Sequence, residues 1–239
     1  MPFRSARAAL GGLACLILLC AVAGACGRGA DAPKPSAAAP APAASTPTAD
    51  PGLPKIVVLG DSLTAGLGLD PSQAYPALLQ QKLTAGGYPW EVVNAGVSGD
   101  TTAAGLERAD WALDQGHVRI LILELGANDG LRGLPPAEMK KNLAAIIERA
   151  QGKGIAVLLA GMEAPPNFGP DYTVSFRQVY RDLARQYKVT LMPFLLDEVA
   201  GIAALNQADG IHPNVQGARI VADHVWTVLK PMVDAAPAS

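Results

Sequence analysis

The stretch that most constrains this chain is Lys55-Ile56-Val57-Val58-Leu59, followed at once by Gly60-Asp61-Ser62-Leu63. A short apolar run rich in β-branched residues, with no polar alternation, reads as a strand buried on both faces. A parallel sheet covered by helices on both sides buries a strand in that way. The glycine-rich Thr64-Ala65-Gly66-Leu67-Gly68 then suits a tight turn and a short first turn of helix. A serine at this handover stands at the carboxyl edge of the sheet, where open α/β folds bind their ligands. Ser62 is therefore the candidate nucleophile.

Downstream, apolar strand-like runs alternate with helical patterns. Residues 90–94, 119–125, 154–160 and 189–192 read as further strands. Helical spacing occupies 75–83, 102–113, 135–150 and 174–187, and a last helix reaches Leu229 with Pro213 in its first turn. This alternation predicts an α/β protein, a flavodoxin-like three-layer α/β/α sandwich with a five-stranded parallel sheet, spanning residues 55–234.

Residues 1–25 read as an export signal. Arg4 and Arg7 precede an apolar core from Leu10 to Val22, and Ala23-Gly24-Ala25 is a small-residue cleavage site. An uncleaved membrane anchor is the competing reading, but the apolar stretch is barely long enough and contains Gly11 and Gly12. Cys26 follows directly, and Ala23-Gly24-Ala25-Cys26 resembles a bacterial lipoprotein box. Two fates follow: lipidation of Cys26 with anchoring at a membrane, or plain secretion. Both are exported, to the periplasm, a membrane surface or the medium. Residues 26–54, rich in alanine and proline, form a semi-rigid tether that cannot bury a core.

All three cysteines, Cys15, Cys20 and Cys26, lie in this leader or directly after it. The folded domain has no disulfide, thiolate nucleophile or cysteine metal site at its disposal. Cutting before Cys26 removes two of the 19 basic residues and none of the 21 acidic ones, leaving a formal charge of −4. Nothing in that balance indicates nucleic acid.

Ser62 needs a base, and the chain has three histidines. His117 precedes the third strand, at the opposite edge, and His224 lies inside the last helix. His212 sits at the expected cap of that helix, on the same edge as Ser62. Asp209 lies three residues earlier, across Gly210, a spacing that lets its carboxylate reach one ring nitrogen while the other faces the serine. That fixes the tautomer and stabilises the imidazolium. Alone, Asp209-Gly210-Ile211-His212-Pro213 is equally a turn and helix cap; a strand-end serine on the same edge tips the balance. Acyl transfer also needs donors for a developing oxyanion. The backbone N–H groups of Ser62 and Gly99 and the side-chain amide of Asn128 are the candidates, although glycine and asparagine taken singly are commonest in turns.

In this order, Gly60-Asp61-Ser62-Leu63, the Gly99 loop, Gly126-Ala127-Asn128-Asp129 and Asp209-Gly210-Ile211-His212-Pro213-Asn214 resemble the four blocks of the SGNH (GDSL) hydrolases. Val93-Asn94-Ala95, Glu124-Leu125-Gly126 and Pro193-Phe194 are similar to its thioesterase I, lysophospholipase L1 and arylesterase group. The resemblance implies the flavodoxin-like sandwich, a Ser62–His212–Asp209 triad, and an oxyanion hole from Ser62, Gly99 and Asn128. It implies neither metal nor organic cofactor. The implied substrate is a small acyl ester or thioester, with lysophospholipids included, cleaved through an acyl-enzyme. Asp61, Asp129, Pro165 and Phe168 are expected to contact it. Ala164-Pro165-Pro166 departs from the group's more leucine-containing loop, which leaves acyl length open. The chain lacks the G-x-S-x-G elbow of ordinary lipases, as the resemblance implies. A carbohydrate O-acetyl esterase is the enzymatic alternative, and an anion-binding flavodoxin-like module the non-enzymatic one.

Overall fold

The computed structural model describes residues 52–236, so the leader, Cys26 and nearly all of the tether lie outside the described residues. Five strands run parallel: β1 (Lys55–Gly60), β2 (Glu91–Gly96), β3 (Val118–Glu124), β4 (Ala156–Ala160) and β5 (Thr190–Met192). Their spatial order is β2-β1-β3-β4-β5, which matches the flavodoxin-like doubly wound order. The central strands β1 and β3 carry the β-branched and leucine-rich runs, with Ile56 to Leu59 and Ile120 to Leu123 essentially inaccessible to solvent. Short β5 and the more exposed β2 take the edges, where a long apolar strand would invite pairing with another chain.

The connecting helices are α1 (Ser62–Ala65), α2 (Tyr75–Ala85), α3 (Thr102–Glu107), α4 (Ala109–Leu113), α5 (Ala127–Leu131), α6 (Pro136–Gly152), α7 (Pro170–Tyr187) and α8 (Val215–Ala235). Helices α2 and α8 pack together in one layer, while α3, α4 and α7 all pack on α6 or beside it in the other. The chain winds outward from β1 to β2, then crosses back to β3. This reversal leaves a crevice between the carboxyl ends of β1 and β3. Gly60 pairs in register with Glu124, so the turns carrying Ser62 and Asn128 leave the sheet side by side.

Several element ends shift by a few residues, among them α7, which starts at Pro170 rather than at 174, and α8, which runs on to Ala235 rather than stopping at Leu229; three further differences have a visible cause or bear on the site. The helix expected over 102–113 breaks at Arg108, whose guanidinium leaves the helical path to donate to Ala95 O (2.6 Å), Gly60 O (2.8 Å) and Asp100 Oδ2 (2.6 Å). The last helix starts at Val215, because Asn214 is its cap and accepts from Gln216 and Gly217 N–H (3.0 and 3.1 Å). Pro213 and His212 thus precede the helix rather than opening it. Finally, residues 127–131, expected as loop, form α5.

Arg108 ties the ends of two strands to the turn after β2, and its side chain is largely buried beside Asp100. Truncating one partner of such a pair strands the other charge. Arg108→Met should lower the unfolding free energy by about 2–4 kcal/mol, read from urea denaturation; a change below about 0.5 kcal/mol would contradict the clamp.

Candidate active site

Ser62 is the first residue of α1, and Asp61 is its N-cap, accepting from Leu63 N–H at 3.0 Å. The first N–H groups of a helix have no intrahelical partner, which leaves the Ser62 amide free to face a ligand. Asn94 from β2 donates its side-chain amide to Thr64 O (2.9 Å) and pins the short helix down.

Across 150 residues of sequence, His212 Nε2 lies 2.9 Å from Ser62 Oγ. On the far side of the ring, His212 Nδ1 lies 2.7 Å from Asp209 Oδ2. The carboxylate is an acceptor, so it calls for a proton on Nδ1 and leaves Nε2 to accept from the serine hydroxyl. The other oxygen of Asp209 accepts the backbone N–H groups of Ile211 and His212, both at 3.0 Å. The turn therefore closes on itself before the ring is engaged. These bonds hold the Asp209 carboxyl down at about 2, the His212 backbone N–H contributing most. It stays ionised at neutral pH.

Asn128, in the first turn of α5, donates its amide to Asp61 Oδ2 at 3.1 Å. Its second N–H remains available toward the cavity that Asn128 walls together with Ser62 and His212. This cavity, about 250 Å³, is bounded mainly by apolar groups including Leu63, Leu131, Met162, Pro165, Phe194 and Leu196. Gly99 adopts φ +87 in the turn after β2, a conformation side chains rarely take, and its carbonyl accepts from the Arg132 guanidinium at 2.9 Å. It is not one of the residues that wall the cavity.

Two of the four residues expected to contact substrate are buried carboxyls with partners inside the protein. Asp129 is 2% exposed and accepts from the backbone N–H and hydroxyl of Thr102, at 2.8 and 2.7 Å. Its carboxyl is thus spent on joining α5 to α3. Asp61 is fully buried beneath the serine, occupied by Leu63 and Asn128. A third, Phe168, is half exposed outside the cavity wall and packs on Tyr172, ring centroids 5.2 Å apart. Pro165 alone of the four borders the cavity. Residues missed in the sequence include Met162 and Leu196, whose apolar side chains in loops read as ordinary core.

Burial pushes the Asp61 carboxyl up to about 6, against the lowering effect of its bonds from Leu63 and Asn128. Held more tightly in the folded state, that proton contributes stability below about pH 4, lost as pH rises through about 6. Between pH 4 and 7 the wild type should therefore lose up to about 3 kcal/mol relative to Asp61→Asn in urea unfolding. A pH-independent difference would contradict the buried ionisation.

Comparison with known proteins adds to this geometry. The profile described as the GDSL-like lipase/acylhydrolase family matches residues 58–220. The chain is 46% identical to "Esterase TesA" of Pseudomonas aeruginosa, over 74% of this chain and 89% of that protein. It is 38% identical to "Thioesterase 1/protease 1/lysophospholipase L1" of Escherichia coli K12, over 75% of this chain and 85% of the other. A crystal structure titled TesA superposes with a TM-score of 0.72 at 46% identity, covering 74% of this chain and 99% of that one.

Proposed function

Because the chain belongs to the GDSL-like lipase/acylhydrolase family, and is thereby an ester hydrolase, we propose that it works through a Ser62–His212–Asp209 triad on short acyl or aryl esters. The observation that carries this reading is the unbroken hydrogen-bonded line from Ser62 Oγ through His212 to Asp209, beside an apolar cavity.

Ser62 Oγ attacks the ester carbonyl carbon while His212 Nε2 takes the hydroxyl proton. Negative charge gathers on the carbonyl oxygen, facing the Ser62 N–H, the Gly99 N–H and the Asn128 amide. Asp209 steadies the imidazolium. His212 then returns the proton to the departing alkoxide or thiolate, leaving an acyl group on Ser62. Water, deprotonated by His212, attacks this acyl-enzyme and releases the acid and the free serine. The two relatives named as esterase and as thioesterase and lysophospholipase support extending the substrates to thioesters and lysophospholipids. The signal-like leader and Cys26 support export, with the mass of the mature amino-terminal peptide distinguishing a lipidated cysteine from plain secretion.

Hydrolysis of p-nitrophenyl acetate and butyrate should vanish to background in Ser62→Ala, and Asn128→Ala should lower kcat roughly 100- to 1000-fold. Equal rates for wild type and Ser62→Ala would overturn the proposal.

A further inference from the structure

One buried carboxyl has no part in the steps above. Glu124 ends β3, opposite Gly60 in the β1 register, directly under the serine turn. It is fully buried. Its Oε2 accepts from the Thr64 hydroxyl at 2.7 Å and from the Asp61 N–H at 3.3 Å, while Oε1 has no partner. The Tyr75 hydroxyl lies 2.8 Å from Thr64 Oγ1; because Thr64 gives its proton to Glu124, Tyr75 is the donor in that contact. A Cβ at Gly60 would collide with both Thr64 Oγ1 and Glu124 Oε2, so the glycine is what lets the carboxyl reach the helix.

A strand end that served only to pack would carry an apolar residue, since a half-satisfied buried carboxyl is costly. Glu124 instead holds both ends of the first turn of α1. It grips Thr64 from below and Asp61 by its backbone. Asp61, so fixed, caps the helix with one oxygen and takes the Asn128 amide with the other. Two of the three oxyanion donors, the Ser62 N–H and the Asn128 amide, are therefore oriented through groups that Glu124 holds. We propose that Glu124 is a positioning residue that, through Thr64 and Asp61, aims these two donors at the carbonyl oxygen of the ester. Burial, and then the charge of Asp61, hold its carboxyl well above the usual range. Both of its bonds are accepted by one carboxyl oxygen, a role the amide oxygen of glutamine can fill.

The inference rests on Asn128 being an oxyanion donor, and a double-mutant cycle separates the two claims. In the full chain, with p-nitrophenyl butyrate, Glu124→Leu should lower kcat about 10- to 100-fold with KM within about twofold, a part of the loss expected for a whole donor. Glu124→Gln should keep at least about a third of the wild-type kcat. In the Asn128→Ala background, Glu124→Leu should cost at least about threefold less than it does in the wild type, because one of the two donors it aims is gone. Additive losses, or a glutamine variant as slow as the leucine one, would overturn the role of Glu124 and leave the esterase reading intact. An Asn128→Ala variant as fast as wild type would overturn both the oxyanion assignment and this inference. Should Glu124→Leu fail to fold, Thr64→Val cuts the same link. It should lower kcat about 3- to 10-fold and be non-additive with Asn128→Ala in the same way, additivity again deciding against.

Discussion

The pairing of β1 with β3 is the constraint from which the rest follows. With Gly60 level with Glu124, the two central strands end together, and the turns that leave them face one crevice. Ser62 emerges from one turn and Asn128 from the other. The crossover that carries the chain from β2 back over β1 opens that crevice in the first place. A slip of one residue in this register would carry Gly60 away from Glu124 and exchange the side chains that each helix layer packs against, so the close packing of Ile56 to Leu59 and Ile120 to Leu123 also guards the geometry of the site.

On this frame three carboxyls around the serine turn and its base divide their work by environment. Asp209 is exposed and saturated by N–H donors, which keeps it charged at low pH. Asp61 is buried with fewer donors, and its proton is lost only at about 6. Glu124, also fully buried and beside the charge of Asp61, keeps its proton to well above the usual carboxylate range. The exposed acid faces the base, whereas the buried pair lies under the nucleophile and organises donors. Arg108 does related work from the side, binding the ends of β1 and β2 and the Asp100 carboxylate next to Gly99.

What was legible in the sequence was chemistry with a local signature. A strand that stops at a glycine, an aspartate three residues before a histidine, and proline or glycine at element ends all act over a few residues. The sheet and the juxtaposition of Ser62, His212 and Asn128 were within reach for that reason. Long-range partnerships were not. The break at Arg108 depends on Gly60 O, 48 residues away, and nothing around 108 announces it. Asp61 and Asp129 look like loop carboxylates available to a ligand, because residue type does not reveal whether a loop side chain turns inward. Phe168 packs on Tyr172, outside the cavity wall, a placement its residue type does not announce. Glu124 did leave a trace, as the one charge closing the apolar run from Ile120 to Leu123.

The central claim is that Ser62 is a nucleophile armed by His212, and covalent trapping tests it most directly. A p-nitrophenyl alkylphosphonate, whose phosphorus stands in for the tetrahedral carbon, should leave its phosphonyl group on the tryptic peptide containing Ser62 in the full-length protein. Mass spectrometry should find that adduct in the wild type and not in His212→Ala over the same interval. An adduct on a different residue, or labelling of Ser62 at an undiminished rate without His212, would contradict the account.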